Sequence, residues 1–182
     1  DDQHEQSDEA IAAHIQAGDQ EQYAILMRRY QEKLVRYAVV LVRDADTAAD
    51  VVQESFIKAF THLRSFNVKK KFSSWMYRIV HNEAMNTIKK HHREIPMPEG
   101  FDQASDEDVD ERISQQEMIA RVQGCLDLLP TMFAEPLALY FLEDQSYDMI
   151  SDILHLPPGT VATRIRRGKG YLKTICQSRE VS

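Results

Sequence analysis

The chain has 182 residues, 43% of them apolar and 28% charged, with a formal net charge of −7. That length holds one or two small domains, and the balance is that of a globular chain without a disorder bias. No apolar run approaches the roughly 20 residues of a membrane-spanning helix, and the acidic start DDQHEQSDEA is the opposite of a secretory signal.

The charge is strongly segregated. Residues 1–22 are acidic, and from Lys58 to Arg93 nine Lys/Arg face a single acid, Glu83. Residues 94–117 are acidic again, and 161–182 are basic. A local field of positive sign attracts polyphosphate whatever the total charge, so the net −7 does not exclude nucleic acid.

In chain order, Asp8 to His14 reads as a short helix carrying Ile11 and Ile15, with a stop and restart at Ala17-Gly18-Asp19. Tyr23, Leu26, Met27, Tyr30, Leu34, Tyr37, Ala38 and Leu41 then recur at helical spacing and are expected in a core. Arg43 to Asp46 makes a turn with N-cap candidates. The next helix has Val52, Phe56, Ala59, Phe60 and Leu63 as its expected buried stripe. Its opposite face collects Asp50, Gln53, Glu54 and Ile57, neighbours at i, i+3, i+4 and i+7. Polar residues framing one apolar residue suit the rim of a docking contact.

A basic turn follows, Asn67-Val68-Lys69-Lys70-Lys71, and then a helix in which Trp75, Met76, Ile79, Val80 and Ile88 can pack. Its other face carries Arg78, Asn82, Lys89 and Lys90. Two prolines, a glycine and an acidic run after Arg93 mark a domain boundary. This gives a first domain over 1–94, an acidic linker over 95–112 and a second domain over 113–182.

The second half starts with Ile119, Val122, Leu126 and Leu129 at helical spacing, then a helix from about Pro136 to Leu142. SYDMISDILHLPPGTVATRIRRGKGYLKTI reads as a helix-turn-helix, with Tyr147–Leu154 as first helix and a turn through Pro157-Pro158-Gly159. Gly159 is expected to supply the turn's backbone freedom and Thr160 to cap the second helix. Cys125 and Cys176 lie in different helical patterns without metal-ligand spacing and read as free buried thiols in a reducing, cytoplasmic setting.

DVVQESF followed by F-x-x-W-x-Y-R-I-x-x-N resembles region 2 of bacterial sigma-70 family factors of the extracytoplasmic-function (ECF) group. L-P-x-G-T-V-x-x-R-I-x-R resembles their region 4. The resemblance implies an all-α protein of two small helical domains that binds core RNA polymerase, directs it to promoter DNA and helps to open the duplex. It carries the polymerase contact to Asp50, Gln53, Glu54 and Ile57. It carries capture of the −10 strand to Asn67, Lys69, Lys70, Lys71, Trp75, Arg78, Asn82 and Lys89. The −35 set becomes Thr160, Ala162, Thr163, Arg166 and Arg167 at base edges, with Arg164 and Lys169 on phosphates. An anti-sigma partner is implied; a cofactor, a metal or membrane insertion is not.

The chain departs from the family at several points. Met149 stands where Glu is usual, so Ser146 lacks a capping-box partner. Ser151 replaces an Ala, Ala162 replaces a common Lys or Arg, and Gly168 and Gly170 each cost a helix about 1 kcal/mol. His81, His91 and His92 lack companion ligands, and the sequence holds no phosphate-binding glycine loop, nucleophile elbow or zinc-binding His-Glu pair. The rival readings are a helix-turn-helix regulator with a non-sigma sensing or dimerisation domain, and a polymerase-binding decoy that does not support initiation.

Overall fold

The computed structural model describes residues 6–91 and 114–180, and every regular element among them is helical. The chain divides into two compact units, Asp1–Thr87 and Ile88–Ser182. The acidic segment 95–112 expected to link two domains lies outside the described residues.

The first unit is built from α1 (Asp8–Gln16), α2 (Tyr23–Val42), α3 (Ala45–His62) and most of α4 (Phe72–Lys90). Ser7 starts α1 by accepting the Ala10 N–H at 3.2 Å, and the helix runs two residues beyond its expected end at His14. Arg43 closes α2 in the left-handed region (φ 59°), and Asp44 opens α3 by accepting the Thr47 N–H at 2.8 Å. Two residues thus reverse the chain, which makes α2 and α3 packed neighbours.

Leu26, Leu34, Tyr37 and Leu41 meet Val51, Val52 and Phe56 in this core. α4 adds Phe72, Met76, Tyr77 and Val80. Edge-to-face ring pairs fix it on α2, with Tyr30 and Phe72 at 5.5 Å and Tyr37 and Tyr77 at 5.2 Å between centroids. Two residues expected in the core are exposed instead: Met27 at 37% and Phe60 at 41%, beside Ile57 at 55%. Both line the open groove that α2 and α3 leave between them, and Phe60 falls between the directions of buried Phe56 and exposed Ile57.

The second unit holds α5 (Gln115–Cys125), a 3-10 turn over Leu126–Leu128, α6 (Thr131–Phe141), α7 (Tyr147–Leu154) and α8 (Pro158–Glu180). A full capping box starts α5: Ser114 accepts the Glu117 N–H, and Glu117 accepts the Ser114 N–H. α6 begins five residues before the expected Pro136, which stands inside it. Phe133, Ala134, Leu137 and Ala138 are all buried there, and that packing outweighs one missing backbone donor.

The helix-turn-helix is present, but its turn is made differently from the expectation. The left-handed residue is His155 (φ 53°, ψ 43°), and Pro158 occupies the first position of α8, so Gly159 is helical. Pro fits that position because its fixed φ suits a helix and its missing N–H would be an orphan there. Thr160 is accordingly inside the first turn, donating its N–H to Pro157. Ser146 caps α7 from one side only, accepting the Met149 N–H at 3.2 Å. Ser151 stitches the turn by donating its hydroxyl to the Leu156 carbonyl while its own carbonyl accepts the Leu156 N–H.

α8 packs on α5, α6 and α7. Gly168 lies where it meets α6: a Cβ there would stand 2.7 Å from Leu137 Cδ1, whereas one at Gly170 meets nothing within 4 Å. Cys125 and Cys176, expected as free thiols, are joined by a disulfide, with Cα atoms 6.4 Å apart. The packing of α5 on α8 brings them into bonding range across 51 residues, a relation their separate helical patterns do not encode. Among the described residues no helix is long and apolar enough to cross a membrane.

Candidate nucleic-acid interface

Three surfaces gather the residues singled out above. On α3, Asp50, Gln53, Glu54 and Ile57 are all exposed, on the side away from buried Ser55 and Phe56. Beside them α2 and α3 form an open groove of about 610 Å³ whose floor and walls include Tyr23, Met27, Val52, Phe56, Ile57 and Phe60. The groove is the feature missed at the sequence level, because Met27 and Phe60 were counted as core. No local signal separates them from the core, because Tyr23, Leu26 and Met27 span only about 100° of the helix, the width of an ordinary inward stripe.

Tyr23 fixes the groove's shape. Its hydroxyl donates to the Phe56 carbonyl at 2.6 Å, and its ring lies 4.9 Å from that of Phe60. Burial pushes the phenol well above its ordinary range, so it keeps its donor proton into alkaline solution.

The second surface is the loop between Phe66 and Phe72. Asn67, Lys69, Lys70 and Lys71 are all exposed. The loop is ordered from within, since the Asn67 side chain accepts the Lys69 N–H at 3.0 Å and its carbonyl accepts the Lys70 N–H at 2.9 Å. Beneath it three rings pack together: Phe66 and Trp75 at 4.9 Å, Phe66 and Phe72 at 5.7 Å, and Phe72 and Trp75 at 5.7 Å. Trp75 is half-buried, so it belongs both to this base and to the surface. On α4, Asn82 and Lys89 are exposed and Arg78 is half-buried. Glu83, the one acid of the basic block, is paired with Lys58 of α3.

The third surface is the first half of α8. Thr163, Arg166 and Arg167 are exposed, while Thr160, Ala162, Arg164 and Lys169 are half-buried. Thr163 donates its hydroxyl back to the Gly159 carbonyl at 2.9 Å. The Lys169 ammonium lies over the Phe141 ring at 5.3 Å, so this lysine is partly engaged within its own unit. Val161 and Ile165 face the core, which leaves the side of Thr163 and Arg166 outward. No cluster of side chains suited to a metal ion occurs among the described residues.

The exposed face of α3 and the Phe66–Phe72 loop fall within residues 26–94, which match the family model described as Sigma-70 region 2, and α8 falls largely within 119–172, which match Sigma-70, region 4. The ECF RNA polymerase sigma-E factor of Haemophilus influenzae is 32% identical over 94% of this chain and 96% of its own. The chain belongs to the ECF group of sigma-70 family factors. It is therefore a transcription initiation factor that binds core RNA polymerase and directs it to promoters, and it is not an enzyme. The helix-turn-helix regulator is disfavoured, because the N-terminal half is sigma region 2 rather than a sensing domain. The ECF sigma factor SigW of Bacillus subtilis is 29% identical over 87% of this chain and 91% of its own. The solved structure of the sigma factor RpoE with the anti-sigma factor NepR from Bartonella quintana shares the fold, with a TM-score of 0.65 and 19% identity over 85% of this chain and 96% of that one.

Proposed function

We propose that this ECF sigma factor divides initiation among the three surfaces. The α2–α3 groove and the exposed face of Asp50, Gln53, Glu54 and Ile57 dock on a helix of the polymerase largest subunit. Apolar Ile57, Met27 and Phe60 supply the contact, and the polar residues around them form its rim. The Phe66–Phe72 loop captures the −10 element as a single strand: Asn67, Lys69, Lys70 and Lys71 track backbone and base. Arg78, Asn82 and Lys89 hold phosphates, with Trp75 at the edge of the pocket. The first half of α8 reads the −35 element in the major groove through Thr160, Ala162, Thr163, Arg166 and Arg167, with Arg164 and Lys169 at phosphates.

The observation that carries this reading is the loop itself. Three exposed lysines stand on a packed base of three aromatic rings. Unstacking a base costs a few kcal/mol, and a cationic track over an ordered surface offsets that cost. The sequence pattern supports domain limits of 1–94, 95–112 and 113–182, whereas the compact units divide earlier, between Thr87 and Ile88. The protein works in the cytoplasm, where core polymerase is. An anti-sigma factor restrains it, as NepR is bound to RpoE in the related structure.

Replacing Lys69, Lys70 and Lys71 with alanine tests the assignment. Core binding and closed-complex formation should persist while strand opening is impaired, and a premelted promoter bubble should restore part of the loss. Equal permanganate reactivity of −10 thymines in mutant and wild-type complexes would remove the loop from this role.

A further inference from the structure

One short helix holds the −10 loop at both ends. In the last turn of α1, Gln16 donates from Nε2 to two carbonyls at the loop's near end, Leu63 at 2.9 Å and Phe66 at 2.8 Å. In the first turn of the same helix, Glu9 accepts the Phe72 N–H at Oε1, 2.9 Å away, at the loop's far end. Glu9 and Gln16 are at i and i+7, on one face of α1 and about 10.5 Å apart along its axis at 1.5 Å per residue. The Phe72 N–H is among the orphan donors at the start of α4, where a carboxylate also meets the positive end of the helix.

α1 is itself anchored away from the loop. Ile11, Ala12 and Ile15 are buried. Asp8 accepts the Tyr30 hydroxyl at 2.5 Å and pairs with Arg29 at 2.7 Å, both on α2. The helix therefore behaves as a ruler fixed to the core, setting the distance between the two ends of the loop. Asn67, Lys69, Lys70 and Lys71 remain outward, with the Asn67 turn as internal support.

We propose that Glu9 and Gln16 are positioning residues for base capture. By fixing both ends of the Phe66–Phe72 loop they hold the lysines and the ring base in a strand-ready arrangement before DNA arrives, which removes an ordering cost from binding. This rests on the assignment of that loop to the −10 strand. Neither residue touches the nucleic acid. A brace that served folding alone would change the unfolding temperature and leave strand affinity untouched at temperatures where the protein is folded.

The chain contains a built-in reporter, since Trp75 is its only tryptophan and stacks on Phe66 and Phe72. The experiment uses full-length Glu9→Ala/Gln16→Ala protein, free and in reconstituted holoenzyme. Its probe is a single-stranded oligonucleotide carrying the non-template −10 sequence of a promoter mapped with that holoenzyme. Acrylamide quenching of Trp75 should rise, and oligonucleotide affinity should fall about tenfold, equivalent to ~1.4 kcal/mol. Core affinity should not change. Glu9→Gln keeps an acceptor for the Phe72 N–H and should retain most of the binding. If the double alanine variant does not fold, Glu9→Gln/Gln16→Ala preserves the α4 cap and carries the same test with a smaller loss. The lysine-to-alanine variant is measured in parallel. If it weakens oligonucleotide binding while the folded brace variants do not, the positioning role is wrong; if neither set weakens it, the loop assignment itself has failed.

Discussion

Gly168 and Gly170 are two residues apart on α8, and replacing each with alanine should have opposite effects. Gly to Ala inside a helix gains about 1 kcal/mol of propensity, and at Gly170 nothing opposes it because a Cβ meets no atom within 4 Å. That variant should be stabilised by roughly 0.5–1 kcal/mol. At Gly168 the added Cβ would stand 2.7 Å from Leu137 Cδ1, 3.2 Å from Leu137 Cγ and 3.5 Å from Phe133 Cβ. Neither neighbour can swing into solvent, since Leu137 is fully buried and Phe133 is 4% exposed. Overpacking of this kind costs about 1–3 kcal/mol, so after the propensity gain the net should be a loss of roughly 0–2 kcal/mol. Thermal unfolding of the full chain, followed by circular dichroism, gives the difference. Trp75 fluorescence reports the other unit and should be unmoved by either variant. Equal stabilisation by both substitutions would refute the close approach of α8 to α6.

Further outcomes follow from the surfaces. Gln53→Ala with Glu54→Ala should weaken core-polymerase binding in a titration while changing stability by less than about 0.5 kcal/mol, as exposed substitutions do; unchanged affinity would remove α3 from the docking role. Arg166→Ala and Arg167→Ala should each cost roughly 1–3 kcal/mol at promoters that depend on the −35 sequence, read by footprinting, if each makes a base contact. Identical footprints would mean that α8 presents a different face. Burial raises Tyr23 and Tyr30 above the ordinary value of 10.0, and at Tyr30 the hydrogen bond and charge of Asp8 add to it. A raised phenol contributes stability that is complete below pH 10 and is lost above it, because the unfolded chain ionises first. Alkaline unfolding of the first unit should therefore start above about pH 10, and Tyr30→Phe should flatten the decline.

Helix existence and the basic character of two surfaces were legible in the residues, because periodicity and charge are local properties. What escaped needed tertiary knowledge. Phe60 and Met27 look like core until the α2–α3 hairpin leaves a groove between the helices. Gly159 looks like the turn residue, but Pro158 begins α8 at that point and the left-handed position moves back to His155. Gly168 reads as a defect in a helix until Leu137 is placed against it. Glu9 and Gln16 give no signal, since their partners lie 47 to 63 residues away in sequence. The −35 set carries less positive charge than the family pattern through Ala162, a local departure visible in the residues, whereas the turn of Lys169 towards Phe141 is a tertiary contact.

The bond between Cys125 and Cys176 closes a covalent ring within the second unit, its two cysteines 51 residues apart, with α6, α7 and most of α8 as its circumference. Every residue assigned to the −35 element lies on that circumference. A protease that cuts once inside the ring would linearise it rather than divide it, leaving both pieces attached and separable only after reduction. When oxidised, a closed loop of this length restricts the unfolded chain by about 4 kcal/mol in the chain-entropy account, a restriction that a reducing cytoplasm removes. A nick forfeits that restriction without removing a single side chain, so intact and nicked protein would differ in how readily the unit unravels while presenting the same residues to DNA.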